Sequence, residues 1–283
     1  MQDQLKNIIE ESATEASTAW LDTAIAKLEQ STDLQNDLSL YSAMAKRKFA
    51  NQTVNESVSV MTAEFGTVSF EGWSLGDISR VLLILHAINL SKVNEISVIE
   101  TCYRQGDESE RISITKGLMF FKNPAALKEI ALESGRTNSK IMLAALALNN
   151  YYPQYHYTDH EFNQMVLKCL FVGIPIEHVL GLPNRANKDL SRMCEDYIRE
   201  RQSAYRKLPE DIWLAVAPFG SDGCINLMME FAQNDDDRER YYATIALAKY
   251  HSSNPKIQQL FQGRIKTESN PHILGIVQNH LEK

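Results

Sequence analysis

Nearly every segment of this chain repeats its apolar residues at helical spacing, and a few of those segments are apolar all the way round. Ile78 to Leu90 carries apolar side chains on nearly every side, Ile141-Met142-Leu143-Ala144-Ala145-Leu146-Ala147-Leu148 does the same, and Ala243 to Ala248 does so less completely. A helix without a polar face has to be enclosed by other helices. A bundle around one centre needs few such helices, whereas a layered array of helix pairs needs one at each internal level. The expected fold is all-α, a degenerate HEAT-like array of helix pairs of the α-solenoid type.

Elsewhere the periodicity is amphipathic. Leu5, Ile8-Ile9, Ala16, Ala19-Trp20, Ala24 and Leu28 trace one stripe through a first helix or helix pair, and Leu34, Leu38, Tyr41 and Ala45 trace the next. Residues 54–73 break the pattern. Val58, Val60 and Thr62 alternate and Phe65-Gly66 interrupts, which reads as an irregular loop or a short hairpin. The organisation expected is a single all-helical domain over 1–283. Its parts are N-terminal helices over 1–53, the loop or hairpin over 54–73, central layers over 74–220, and HEAT-like pairs over 221–283.

Helix starts are marked by residues that satisfy the orphan N–H groups of a first turn. Ser74 with Asp77 three positions on predicts the start of the helix through Leu90. Polar junctions over 106–111, 135–140 and 234–240 each precede an apolar helix, and their acidic, Asn and Ser residues satisfy first-turn N–H groups and complement the helix dipole. Asn123-Pro124, Asn254-Pro255 and Asn270-Pro271 place proline at the first helical position.

Composition bounds the function. With 29 Lys and Arg against 36 Asp and Glu, the net charge of −7 argues against a nucleic-acid backbone as ligand, because phosphate contacts need a basic face. The N-terminus has no basic start with an apolar core, and no unbroken apolar run, Val81 to Leu85 and Ile141 to Leu148 included, comes near the roughly 20 residues of a membrane span. A soluble, cytoplasmic chain that does not span a membrane is expected. Cys102, Cys169, Cys194 and Cys224 are scattered and read as buried reduced thiols. Trp73 and Trp213, each near a helix start, read as packing anchors. His156 and His160 stand at i, i+4, but Pro153 and the Tyr-rich run around it place His156 before the helix start, so the spacing implies no metal site. No nucleotide, hydrolase or dinucleotide motif occurs, and no cofactor or catalytic residue is assigned.

The polar-framed stretch from Asn163 to Arg201 is the best candidate for a recognition site. Val166 to Gly173 is an apolar helix with one lysine, Lys168; a Gly/Pro turn through Pro175 and Gly181 follows. Then comes a helix dense in both charge signs, with Leu190, Met193, Tyr197 and Ala204 as its inward stripe. If Lys168 projects toward Arg192 or Asp196, charges converge where glycine backbone admits a ligand closely. Solvated i, i+4 pairs on this helix, and a lysine that snorkels to water, are the plain alternatives. The candidate binding residues are Arg136, Asn138, Lys168, Arg185, Arg192, Asp196 and Glu200, and Arg136, Asn138, Arg192 and Asp196 are expected on one side of the array.

The segment from Val166 to Pro175, with Gly181-Leu182, Arg185, Arg192-Met193, Asp196-Tyr197, Glu200-Arg201 and Pro209 to Trp213, closely resembles the EboA family. Arg80 to Leu83, Tyr103 with Gly106-Asp107 and Glu110, and Arg136-Thr137-Asn138 look like the same pattern. The resemblance runs from about Trp20 to Trp213 and is less specific after Gly220. It implies a protein of a bacterial gene cluster that moves a cytoplasmically assembled metabolite or precursor toward the membrane and periplasm. Neighbouring products resemble a membrane prenyltransferase, a metal-dependent hydrolase, barrel enzymes and a phosphodiesterase. It carries over no catalytic residue. The expected partners are a small metabolite or precursor, other proteins of the cluster, or both, with no nucleic acid. Three functions stay open: a binding or scaffold protein of that traffic, an enzyme using Lys168, Asp196 and Glu200 as acid–base groups, and a structural subunit of an oligomer.

Overall fold

A computed structural model of the protein describes residues 1–50, 52–54, 58–62, 64–91, 94–250 and 254–282. It is mostly helical, with one small two-stranded sheet, and it packs as two compact units, Met1–Tyr157 and Thr158–Lys283. Among the described residues no helix is long and apolar enough to cross a membrane.

The first unit begins with α1 (Gln2–Ser12), α2 (Glu15–Glu29) and α3 (Leu34–Phe49). The first apolar stripe is thus a helix pair, divided where the Thr14 side chain accepts the Ser17 N–H and caps α2. The alternation after Val58 closes a hairpin. β1 (Ser59–Thr62) pairs antiparallel with β2 (Gly66–Ser69), with Val60 opposite Val68 and both buried, while Met61 faces outward. Gly66 at φ 68° supplies the positive dihedral of the tight connection. Of the irregular segment read from sequence, residues 55–57 and 63 lie outside the described residues.

α4 (Leu75–Leu90) is the central helix of this unit, packed against α1, α2, α3 and α5 (Glu95–Gln105) as well as α6 (Glu108–Gly117). Ser74 and Asp77 form the capping box that the sequence predicts, and every residue from Leu75 to Leu85 is buried. Full burial of each Leu, Ile or Val there contributes about 1.5–3 kcal/mol relative to exposure. Two charges are enclosed with them. The Arg80 guanidinium donates to the Ser42 carbonyl at 2.9 Å and to Ser109 and Ser113 Oγ at 2.8 and 3.2 Å. Ser113 donates to Asp77 Oδ1 at 2.7 Å, and Lys116 Nζ stands 2.8 Å from Asp77 Oδ2. Burial alone would raise the Asp77 carboxyl, but Lys116 and the hydrogen bonds hold it below its ordinary value.

α7 (Lys128–Arg136), α8 (Lys140–Ala147) and the short α9 (Tyr152–His156) complete the unit. α8 corrects one expectation: Met142, Leu143 and Ala145 to Ala147 are buried against α6 and α7, yet Ile141 is 66% exposed. It stands in the first turn of an eight-residue helix, which its neighbours do not cover all round.

The second unit holds α10 (Asp159–Val172), α11 (Leu182–Arg185), α12 (Lys188–Ser203), α13 (Trp213–Val216), α14 (Asp222–Phe231), α15 (Asp237–Leu247), α16 (Pro255–Arg264) and α17 (Pro271–Leu281). Asn254 and Asn270 cap α16 and α17 ahead of their prolines, as read from sequence. Trp213 is fully buried as an anchor, and α15 packs against α13, α14 and α17. Glu268 is buried between Arg240 and Arg264: Arg240 Nε and Nη2 approach its two oxygens at 3.2 and 3.1 Å, and Arg264 closes the far side. All four cysteines are buried thiols; burial pushes Cys102 up to about 11 and Cys169, Cys194 and Cys224 up to about 12.

Candidate functional site

The site is built where α10 ends. Thr158 and Glu161 form a capping box at its start, and Phe162, Asn163, Met165, Val166, Cys169 and Leu170 face the core. His156 closes α9 while His160 opens α10, so the two imidazoles stand on different helices. Gly173, at φ 72° and ψ 44°, ends α10 in a left-handed turn, with the Gly173 and Ile174 N–H groups returned to the Leu170 and Cys169 carbonyls. The chain therefore reverses sharply and leaves Leu170, Phe171 and Val172 at a rim with Ile174 and Pro175 beside them.

A second strand of backbone completes the hollow. After α12 the chain turns at Tyr205, at φ 53°, and runs back through Lys207 to Asp211. Two contacts hold that loop. The Arg201 guanidinium donates through both Nε and Nη2 to the Lys207 carbonyl, the first at 3.0 Å. The buried Asp211 carboxylate accepts the N–H of Ile176, the first residue of a short 3-10 turn, Ile176–His178. Burial pushes the Asp211 carboxyl above its ordinary value, and the backbone donors around it offset only part of that rise.

Between these segments lies a cleft of about 580 Å³, lined on one side by Leu170 to Pro175 and on the other by Arg201, Lys207 to Asp211 and Arg238. Its size falls within the range of small-molecule sites. Its charges are paired with one another, and Lys207 and Arg238 stay open to solvent. Lys207 Nζ lies 3.1 Å from both Glu210 and Glu239 carboxylates, and Arg238 Nε lies 2.8 Å from Glu210. Arg238 also lines an adjoining hollow of about 360 Å³ with Glu177, Asp237, Tyr241, Tyr242, Asn270 and His272. There, burial and the hydrogen-bonded Glu177 carboxylate raise the Tyr242 phenol.

The residues singled out from sequence fall in several places. Arg136 and Asn138 belong to the first unit. Arg136 ends α7 on the edge of a separate cleft of about 540 Å³ with Tyr103, Asp107, Arg111, Glu133 and Met142, while Asn138 is exposed in the turn that follows. Lys168 is half-buried on α10. Arg185 has a structural position: it pairs with Asp159 at 2.8 Å and lies 4.5 Å over the Phe162 ring. Asn187 caps α12 and exchanges two amide hydrogen bonds with Asn163 at 3.0 and 3.1 Å, so this end of α12 is tied to α10.

On α12, Arg192 and Asp196 form an exposed i, i+4 pair at 3.5 Å, Arg199 also contacts Asp196, and Glu200 faces solvent. Leu190 and Tyr197 point inward as expected, but Ala204 is exposed because the helix has ended before it. Among the described residues lining the cleft beside Gly173, Lys168, Arg185, Arg192, Asp196 and Glu200 are not found. Lys207 and Arg238 take the places of the charges sought there. Lys207 sits in a loop without period, and Arg238 reads only as part of a helix-start junction. Among the described residues no group of three or more His, Cys, Asp or Glu is arranged to hold a metal ion.

No curated protein and no solved structure matches the chain. The model of a family described as metabolite traffic protein EboA matches residues 1–217, which takes in the whole first unit and the cleft from Leu170 to Asp211, with Arg238 beyond it. The chain belongs to the EboA family.

Proposed function

We propose that this chain is a helical binding and scaffold protein of metabolite traffic, acting in the cytoplasm on the route of a metabolite or its precursor toward the periplasm. The cleft beside Gly173 holds the small molecule. The observation that carries this reading is the meeting of an apolar wall, Leu170 to Ile174 with Leu208, and a set of charges gathered at its edge. Membership of a family named for metabolite traffic supplies the setting.

The helix layers are read as degenerate HEAT-like pairs, supported by the packing of sequence neighbours on one another: α5 with α6, α6 with α7 and α7 with α8 in one unit, α14 with α15 and α16 with α17 in the other. Such layers offer a surface on which other proteins of the same gene cluster dock. An acid–base reading built on Lys168, Asp196 and Glu200 draws no support from the cleft, which none of them lines.

The test is mass spectrometry of small molecules that copurify with the chain from cells carrying its gene cluster. The reading expects one class of molecule to accompany the wild type and to be lost from Phe171→Asp, with the fold of that variant checked by circular dichroism. Equal recovery from both proteins, or no molecule from either, would overturn it.

A further inference from the structure

Resting on the reading of the cleft beside Gly173 as a small-molecule site, we infer that its ligand is an amphipathic acid: an apolar body with one terminal anionic group, which Arg201 receives. Three cations line the cleft, and two of them are neutralised within the protein. Lys207 lies between the Glu210 and Glu239 carboxylates, and Arg238 is held by Glu210. Arg201 differs, having no carboxylate partner among the described residues. Its Nε and Nη2 go to one neutral acceptor, the Lys207 carbonyl, and its guanidinium lies 5.8 Å from the Tyr197 ring. The two carboxylates of the lining are engaged elsewhere, Glu210 with Lys207 and Arg238, Asp211 with the Ile176 N–H.

An arginine has five N–H donors, so Arg201 keeps three and an unmatched positive charge. Its position is set by a carbonyl and a ring rather than by an anion, and a planar fork held this way suits the paired oxygens of a carboxylate or phosphate. Beside it the lining turns apolar. Phe171 is 68% exposed, its ring 6.5 Å from that of Tyr197, and it continues into Leu170, Ile174 and Leu208. One end of the cleft thus asks for negative charge and the adjoining wall for hydrocarbon. A cationic head would meet a like charge, and a neutral head would leave the Arg201 charge unanswered.

Isothermal titration of the full-length chain with decanoate, decyl phosphate, decyl glucoside, decylamine and acetate, each below its micelle concentration, reads head and chain separately. We expect at least one of the two decyl acids to bind, about tenfold or more tighter than the neutral and cationic decyl probes, with acetate weaker still. The ratio of decanoate to decyl phosphate shows whether the head is a carboxylate or a phosphate. Arg201→Gln should remove most of the acid preference and leave decyl glucoside unchanged, Arg201→Lys should restore part of it, and Phe171→Ser should weaken every decyl probe. Should Arg201→Gln not fold, rising salt must weaken acid binding to the wild type and spare the glucoside. Binding independent of the head, or acid binding indifferent to both Arg201 and salt, overturns the ligand class while leaving the cleft a binding site. Failure of every decyl probe overturns the inference, and only if the copurified molecule also ignores Phe171→Asp does the site itself fall.

Discussion

The Asp211 carboxylate accepts the backbone N–H of Ile176 across 35 residues of sequence and so joins the two strands of backbone that face each other over the cleft. The carboxyl is raised above 3.8 in the fold, so the folded state holds its proton more firmly than the unfolded state. By linkage its ionisation costs stability as the pH rises through the folded value, and that cost is absent below the ordinary one. Asp211→Asn keeps an acceptor for Ile176 and removes the charge. Urea unfolding should show it gaining on the wild type as the pH is raised from about 4 toward neutrality. Asp211→Ala leaves the Ile176 N–H buried and unpaired and should lose about 1–3 kcal/mol below the ordinary carboxyl value, a deficit that shrinks toward neutrality as the wild type takes on the cost of its buried charge.

Glu268 behaves in the opposite sense. Burial opposes its charge, but Arg240, the Asn270 N–H and Arg264 overcome that and bring the carboxyl from 4.5 down to about 2. A depressed folded value contributes stability above 4.5 that is lost as the pH falls toward about 2. Acid unfolding followed by the fluorescence of Trp213, which is buried in the second unit, should fall in that window. Glu268→Gln should flatten it and cost about 3–5 kcal/mol at neutral pH, because Arg264 loses its counter-charge and Arg240 keeps only Asp237.

Gly117 ends α6 against α4 so closely that a Cβ there would lie 2.6 Å from Val81 Cγ2. Val81 is fully buried and has no room to yield. Gly117→Ala should destabilise the first unit by about 1–3 kcal/mol in thermal or urea unfolding, and the pair Gly117→Ala with Val81→Ala should recover part of that loss.

The charged face of α12 provides a control for the site. Arg192, Asp196 and Glu200 are exposed, and exposed pairs contribute about 0–1 kcal/mol. Alanine at these three positions should leave stability within about 1 kcal/mol and leave the copurified molecule bound. Loss of that molecule would move the site onto α12.

What the sequence makes legible here is local. Ser74 with Asp77 and the Asn-Pro starts of α16 and α17 are fixed by hydrogen bonds within one turn, so the residues themselves announce them. The burial of Leu75 to Leu85 follows from an apolar surface with no polar side. Ile141 escapes that logic because exposure depends on which neighbours reach the first turn of α8, and no residue of α8 encodes that. The same holds for the cleft. Gly173 and Pro175 mark a turn in the sequence, whereas the loop from Lys207 to Asp211 and the start of α15 arrive there only through packing. Charges on the helix nearest in sequence, Arg192 and Asp196, therefore look like the site, and the cleft draws its charges from farther along the chain.

Hydrogen–deuterium exchange of the chain with and without its copurified small molecule shows whether the cleft beside Gly173 is where that molecule sits. Bound molecule should slow exchange over residues 170–176 and 206–211, with little change over 103–111 and 133–142. Protection confined to the cleft of the first unit, or absent from 170–176, would contradict that placement.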